Sequence, residues 1–170
     1  MGRISVAVLF GLFAALRAEQ AAAHDATLFD GRVTQQSIGS TICRPDYVDA
    51  VSPSISVMME RKARLLADLG ISTDAGVAYA LDRHVPVLLG GAPDSPANFD
   101  LLPWAGNQGE RRKSRLVVRL KHCVCEGKMT LSDAQATILG NWSAAYPGFG
   151  QNSCNLNGVD VATGSRDSEP

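Results

Sequence analysis

Tyr79-Ala80-Leu81-Asp82-Arg83-His84-Val85-Pro86-Val87-Leu88-Leu89-Gly90-Gly91 is the stretch on which the reading of this chain turns. It is an apolar, β-prone run that carries three polar side chains in a row and stops at a Gly-Gly turn. Val77 to Val87 therefore reads as a strand region. Burying an aspartate, an arginine and a histidine there without partners would be costly. Either the three pair with one another at a strand end, or they form a site.

Downstream, Gly90 to Phe99 reads as a loop rich in Gly, Pro, Asp and Asn, and Asn107-Gln108-Gly109 as a turn. Glu110 to Val124 is an amphipathic helix. Leu116, Val117, Leu120 and Val124 share one face, and Arg112, Arg115, Arg119 and His122 line another. Gly127 ends it. Thr130 caps a last helix, with Asp133 in the place of a capping-box partner. Leu131, Ala134, Ile138 and Trp142 form its apolar stripe. Upstream of the strand, Pro53 precedes a helical pattern that Ser54 or Ser56 can cap and Gly70 can end. Met58, Met59, Ala63, Leu65, Leu66 and Leu69 are its expected buried positions, and Glu60, Arg61, Lys62 and Arg64 its wet face. Residues 24–42 are polar and mixed, and are expected as a flexible arm. The tail at 147–170 is Gly-, Asn- and Ser-rich and is expected to be largely disordered beyond Cys154.

Residues 1–23 read as a cleaved leader. Arg3 is its charged start, Val6 to Leu16 its apolar run, and Ala21-Ala22-Ala23 its small-residue cleavage site. That run is shorter than a membrane span needs. The expected location is secreted or periplasmic. The chain has 16 basic and 17 acidic residues; losing Arg3, Arg17 and Glu19 leaves 14 against 16. A slightly acidic balance excludes a general nucleic-acid coat, so any such contact must come from local charge. Four cysteines, Cys43, Cys123, Cys125 and Cys154, read as two disulfides in an exported chain, with three connectivities open. A Cys123–Cys125 ring would be tight and strained. A zinc site is the alternative, but Cys-x-Cys lacks the paired Cys-x-x-Cys spacing.

Taken in order, these pieces resemble the HNH, or ββα-metal, endonuclease family. Secreted bacterial members read roughly Tyr-Glu-Leu-Asp-His-Leu-Ile-Pro-Leu-Glu-Leu-Gly-Gly at the strand. This chain keeps Tyr79, Leu81, Asp82, Pro86, Leu89, Gly90 and Gly91. The resemblance runs from Cys43 to Tyr146 and includes Asn98, the basic helix, Val124-Cys125 and the Thr-capped final helix. It implies an α+β fold: a short β-hairpin plus basic helix, flanked by other helices and stapled by disulfides, over residues 43–146. It also implies the cysteine pairing. Relatives carry one cysteine early and one in the Val-Cys after the basic helix, which match Cys43 and Cys125; Cys123 and Cys154 are then left for each other.

The family's chemistry uses a divalent metal, with Mg, Mn or Zn as candidates, held at the hairpin end beside a helix. A neutral histidine takes the proton from the attacking water. By resemblance Asp82 is the metal ligand and Asn98 the brace of the site. Arg83 stands where the family has its catalytic histidine, and an arginine stays protonated. His84 follows one residue later and would serve only if the register slips, because adjacent strand residues face opposite ways. Leu88 replaces an acid near the hairpin end. On the helix, a common Lys-Asp-Lys-x-Glu pattern becomes Lys113-Ser114-Arg115-Leu116-Val117, which loses both acids. Arg112, Lys113, Arg115 and Arg119 would attract phosphate rather than a cation. The expectation is an exported HNH-like protein, catalytically degenerate, with a basic helix for nucleic acid, another polyanion or a partner. Two alternatives stand beside it: a working metal-dependent nuclease with His84 as a shifted base, and a disulfide-stabilised structural or interaction protein that needs no cofactor.

Overall fold

The computed structural model describes residues 28–145 and Cys154. The expected leader at 1–23, the first residues of the expected arm, and the tail apart from Cys154 lie outside the described residues. Among the described residues, six α-helices and two strands follow one another: α1 (Tyr47–Val51), α2 (Ile55–Asp68), α3 (Thr73–Gly76), β1 (Tyr79–Arg83), β2 (Phe99–Pro103), α4 (Glu110–Cys125), α5 (Leu131–Leu139) and α6 (Trp142–Ala145). Short 3-10 turns lie at Ile38–Ser40, Val87–Leu89 and Pro96–Asn98. The strands form a two-stranded antiparallel sheet, with Tyr79 opposite Pro103, Leu81 opposite Leu101 and Arg83 opposite Phe99. The class is therefore mixed: helices around one small sheet, closed by two disulfides.

β1 is shorter than the expected Val77–Val87 and ends at Arg83. The reason is local. Both backbone groups of Val85 are taken by the Asn98 side chain instead of a strand neighbour. After Pro86 the chain turns through Val87–Leu89, and Gly90 leaves it with φ near 80°. Gly91 then passes so close to Val85 that a Cβ there would lie 1.7 Å from the Val85 carbonyl oxygen.

The core forms between α4, α5 and this turn. Leu116, Val117, Leu120, Cys123 and Val124 of α4 meet Leu131, Ala134 and Ile138 of α5, with Val85, Val87 and Leu89 between them. The apolar stripes expected on α4 and at the start of α5 are the buried ones. Thr130 caps α5 through the Asp133 amide at 3.1 Å. The last helix, however, stops at Leu139, and Trp142 opens the separate turn α6, half-buried against the core. Asn141 starts that turn by accepting from the Ala144 amide.

The described part of the expected flexible arm is not loose. Leu28, Val33 and Ile42 sit in the core, Ile42 fully buried. Phe29 bridges Gly91, Asp30 N donates to Gly90 O, and Ala92 N donates to Leu28 O, so this segment runs along the Gly-Gly turn. The buried carboxylate of Asp30 accepts from Arg32 and from the Tyr47 hydroxyl. The Gln35 side chain accepts from Leu131 N, the first amide of α5. The polar residues that suggested a loose arm make turns and cross-links, and a few well-spaced apolar ones do the burying.

α2 also differs from expectation. Of its six expected buried residues, Leu66 is buried and Met58 and Leu65 are half-buried, while Met59 and Leu69 are 63% and 60% exposed. The helix lies against one side of a two-stranded sheet, which is too narrow to cover a full stripe. Its end is as expected: Gly70 adopts φ 66°, and Ile71 N and Gly70 N bond back to Leu66 O and Ala67 O.

Cys43 is bridged to Cys125 and Cys123 to Cys154, the pairing implied by the resemblance. The first bridge ties the chain before α1 to the end of α4; the second ties the chain beyond α6 to the same helix. Such bridges belong to an oxidising, extracytoplasmic setting. Among the described residues, no helix is long and apolar enough to cross a membrane.

Candidate functional site

The polar triplet Asp82-Arg83-His84 is divided among three environments. The Asp82 side chain meets the first turns of α4. Its Oδ2 accepts from Lys113 Nζ at 2.5 Å, and the same ammonium donates to the Arg83 carbonyl at 2.6 Å. The two side chains are only 12% and 6% exposed. Burial pushes the Asp82 carboxyl up from its ordinary range; the Lys113 charge opposes this and the Glu110 carboxylate adds to it.

Beside the pair is a cleft of about 230 Å³ between β1, the Val87–Leu89 turn and α4. Asp82, Glu110, Lys113 and Ser114 supply its polar lining, and Leu88 and Val117 part of its apolar lining. The Ser114 hydroxyl donates to Glu110 Oε1, one helical turn back. Ser114 and Val117 are the positions where the resembled family has acids. Here one hydrogen-bonds along its own helix and the other is core.

Arg83 turns away from Asp82 toward the α2 side of the sheet. Its Nη2 donates to Pro93 O at 2.9 Å, and its guanidinium lies 4.6 Å from the centroid of the Phe99 ring. Arg61 of α2 lies over the same ring at 4.3 Å and pairs with Asp94 at 2.7 Å. Burial, then the Arg61 charge, push Arg83 below its ordinary value. Pairing of Asp82 with Arg83, one of the options left open for the triplet, is therefore corrected: strand alternation sends the two side chains to different partners, and Lys113 takes the carboxylate.

His84 is exposed, and its amide donates to Asn98 O. Asn98 is fully buried. Its Oδ1 accepts from Val85 N, and its Nδ2 donates to Val85 O and Ala92 O, all at 2.9 Å. It braces the loop between the strands, and its side-chain hydrogen bonds go to Val85 and Ala92 rather than to the cleft residues named above.

The expected phosphate-binding set divides as well. Arg115 is exposed, as is Arg111 beside it, while Arg112 and Arg119 are half-buried. Lys113 is withdrawn from that surface into the pair with Asp82. Near the end of α4, His122 and Lys128 both reach Glu126.

The sequence reading missed Lys113 as the partner of Asp82, although a signal was present. Position 113 lies three and four residues before Leu116 and Val117, so the α4 apolar stripe runs back through it. A lysine on that stripe needs a buried acid. The residues present do not fit a divalent cation. The carboxylate at the matched ligand position already holds an ammonium, and among the described residues no group of three or more His, Cys, Asp or Glu is placed to hold a metal ion. In comparison with known proteins, no family model matches the chain, and neither a curated protein nor a solved structure matches it.

Proposed function

We propose that this chain is an exported, HNH-like protein that has given up metal-dependent cleavage and uses the outer face of α4 to bind phosphate groups of a polyanion. The observation that carries this reading is the Lys113–Asp82 pair. In the resembled family that aspartate holds the metal; here an ammonium stands against it. The arginine at the general-base position supports the same reading, since it lies on Phe99 and cannot accept a proton. Arg111 and Arg115 keep their charges at the surface of α4 in a chain that is otherwise nearly balanced. Local positive charge of this kind binds phosphate weakly and with strong salt dependence.

The test has two arms. The oxidised protein should bind heparin and duplex DNA at low salt. Arg111→Ala/Arg115→Ala should weaken binding and lower the salt slope by about 2, if each arginine meets one phosphate. In a plasmid-nicking assay with Mg²⁺ or Mn²⁺ the protein should be inactive. Strong metal-dependent nicking, lost in Asp82→Ala or His84→Ala, would instead establish the nuclease reading with His84 as base. Absence of any binding at low salt would reduce the α4 face to a solvated surface.

A further inference from the structure

We propose that Asp82 and Lys113 condense into an intramolecular isopeptide bond, a self-made modification that cross-links β1 to α4. Lys113 Nζ lies 2.5 Å from Asp82 Oδ2, so the nucleophilic nitrogen is in contact with the carboxyl group it attacks. The second acceptor of the ammonium, Arg83 O at 2.6 Å, fixes it from the side. Both side chains are almost wholly out of solvent. Groups held together in this way reach effective concentrations of about 10⁵–10⁸ M in well-oriented cases. The driving force is electrostatic. A buried ion pair keeps two charges out of water at a cost that its attraction only partly repays, whereas an amide carries no charge.

The step balances without any co-reactant. One proton passes from the ammonium to the carboxylate, which leaves an amine and a carboxylic acid. The nitrogen lone pair adds to Asp82 Cγ and forms the C–N bond. The C–OH bond then breaks, and the hydroxyl leaves as water with a second proton from nitrogen. Glu110 lines the same cleft and acts electrostatically on Asp82, and in this scheme it carries that proton from nitrogen to the departing oxygen. The cleft itself has room for the released water. The product joins residues 31 positions apart and adds a third covalent tie to a fold already closed by two disulfides. The proposal is independent of polyanion binding by α4; it uses the same pair that carries the loss of metal binding, and an amide at Asp82 would exclude a metal as the ion pair does.

Intact mass of the folded, oxidised wild-type protein decides the matter. The expected mass is one water below that of the sequence, after allowance for the hydrogens lost to the two disulfides. After reduction and alkylation, trypsin should release a branched peptide joining 65–83 to 113–115, because modified Lys113 is no longer a cleavage site. Lys113→Arg and Asp82→Ala should have full mass. Glu110→Gln should stay at full mass, or lose the water far more slowly, while its circular dichroism matches wild type. If folded wild-type protein keeps its full mass after days of incubation, and trypsin cleaves after Lys113, the proposal is overturned. A missing water located at any other residue pair overturns it equally.

Discussion

Asn98→Ala should be among the most destabilising single changes in this protein. The side chain is fully buried and makes three hydrogen bonds of 2.9 Å to backbone groups across the loop. Truncation leaves Val85 N and Val85 O without partners in a residue that is itself fully buried. Each orphaned group costs about 1–3 kcal/mol. Ala92 O is half-buried and can turn to water, so its share is small. The expected loss is about 3–4 kcal/mol, a large part of the roughly 5–15 kcal/mol that a domain has in total. Urea unfolding of the oxidised protein, followed by tryptophan fluorescence, should show a lower midpoint with an unchanged m-value. Hydrogen exchange should show the Val85 amide losing protection before the amides of α4. Asn98→Asp adds a sign test. The new carboxyl keeps the acceptor for Val85 N but, when ionised, loses both donors and buries a charge. Its folded pKa must therefore lie above its unfolded one, so this variant should be most stable in acid and lose stability as pH rises through the folded value. A loss below about 1 kcal/mol for Asn98→Ala, in the range of an ordinary surface change, would refute the reasoning.

The acid limb of stability should depend on Asp30. Hydrogen bonds from Arg32, and a further one from Tyr47, hold its carboxyl below the usual 3.8, so its contribution is present above that pH and is lost as pH falls toward the folded value; Asp30→Asn should flatten urea midpoints measured across this range. Of the two disulfides, Cys43–Cys125 closes the longer loop, 82 residues against 31, so Cys43→Ser/Cys125→Ser should cost about 1 kcal/mol more than Cys123→Ser/Cys154→Ser by the chain-entropy relation, as read from denaturant midpoints. Gly91→Ala should fail to give folded protein at wild-type yield on size exclusion, because the added methyl would overlap the Val85 carbonyl.

Much of the framework was legible because single helices announce themselves. Leu116, Val117, Leu120 and Val124 recur at helical spacing, Thr130 and Gly70 mark helix ends, and these features stand where expected. What was not legible depends on long-range partners. Composition marks 24–42 as loose, yet Val33 and Ile42 are core residues whose burial depends on the distant Gly90-Gly91 turn and α5. Met59 and Leu69 fit a helical stripe, but no pattern within α2 says that a two-stranded sheet will cover so little of it. The site failed in the same way. Asp82 and Asn98 were singled out, but the partner of Asp82 lies 31 residues away on another element. Reading the triplet by itself offered pairing among its own three residues, not with a lysine on α4.

The identity of that partner bears directly on the proposed loss of cleavage. An arginine pointing past the carboxylate into solvent could swing aside and admit a metal ion. Lys113 has no such freedom. Its stem is packed within the apolar stripe of α4, and its ammonium has two acceptors, Asp82 Oδ2 and Arg83 O. To seat a dication on Asp82, the ammonium must either stay, and repel it at close range, or leave both acceptors and find water from a buried position. Removing one partner of a buried pair typically costs about 3–5 kcal/mol, because the other charge is stranded. A metal would meet that cost with Asp82 and at most Glu110 as carboxylate ligands, and Glu110 already accepts from Ser114. Restoring histidine at position 83 therefore should not revive cleavage. The side chain at 83 follows the strand toward Phe99, and Lys113 still occupies Asp82, whether as the ion pair or as the amide proposed above. The order of repair runs the other way: Lys113 must go first, acids must return at 114 and 117, and only then does a base at the strand end have a metal-bound water to act on.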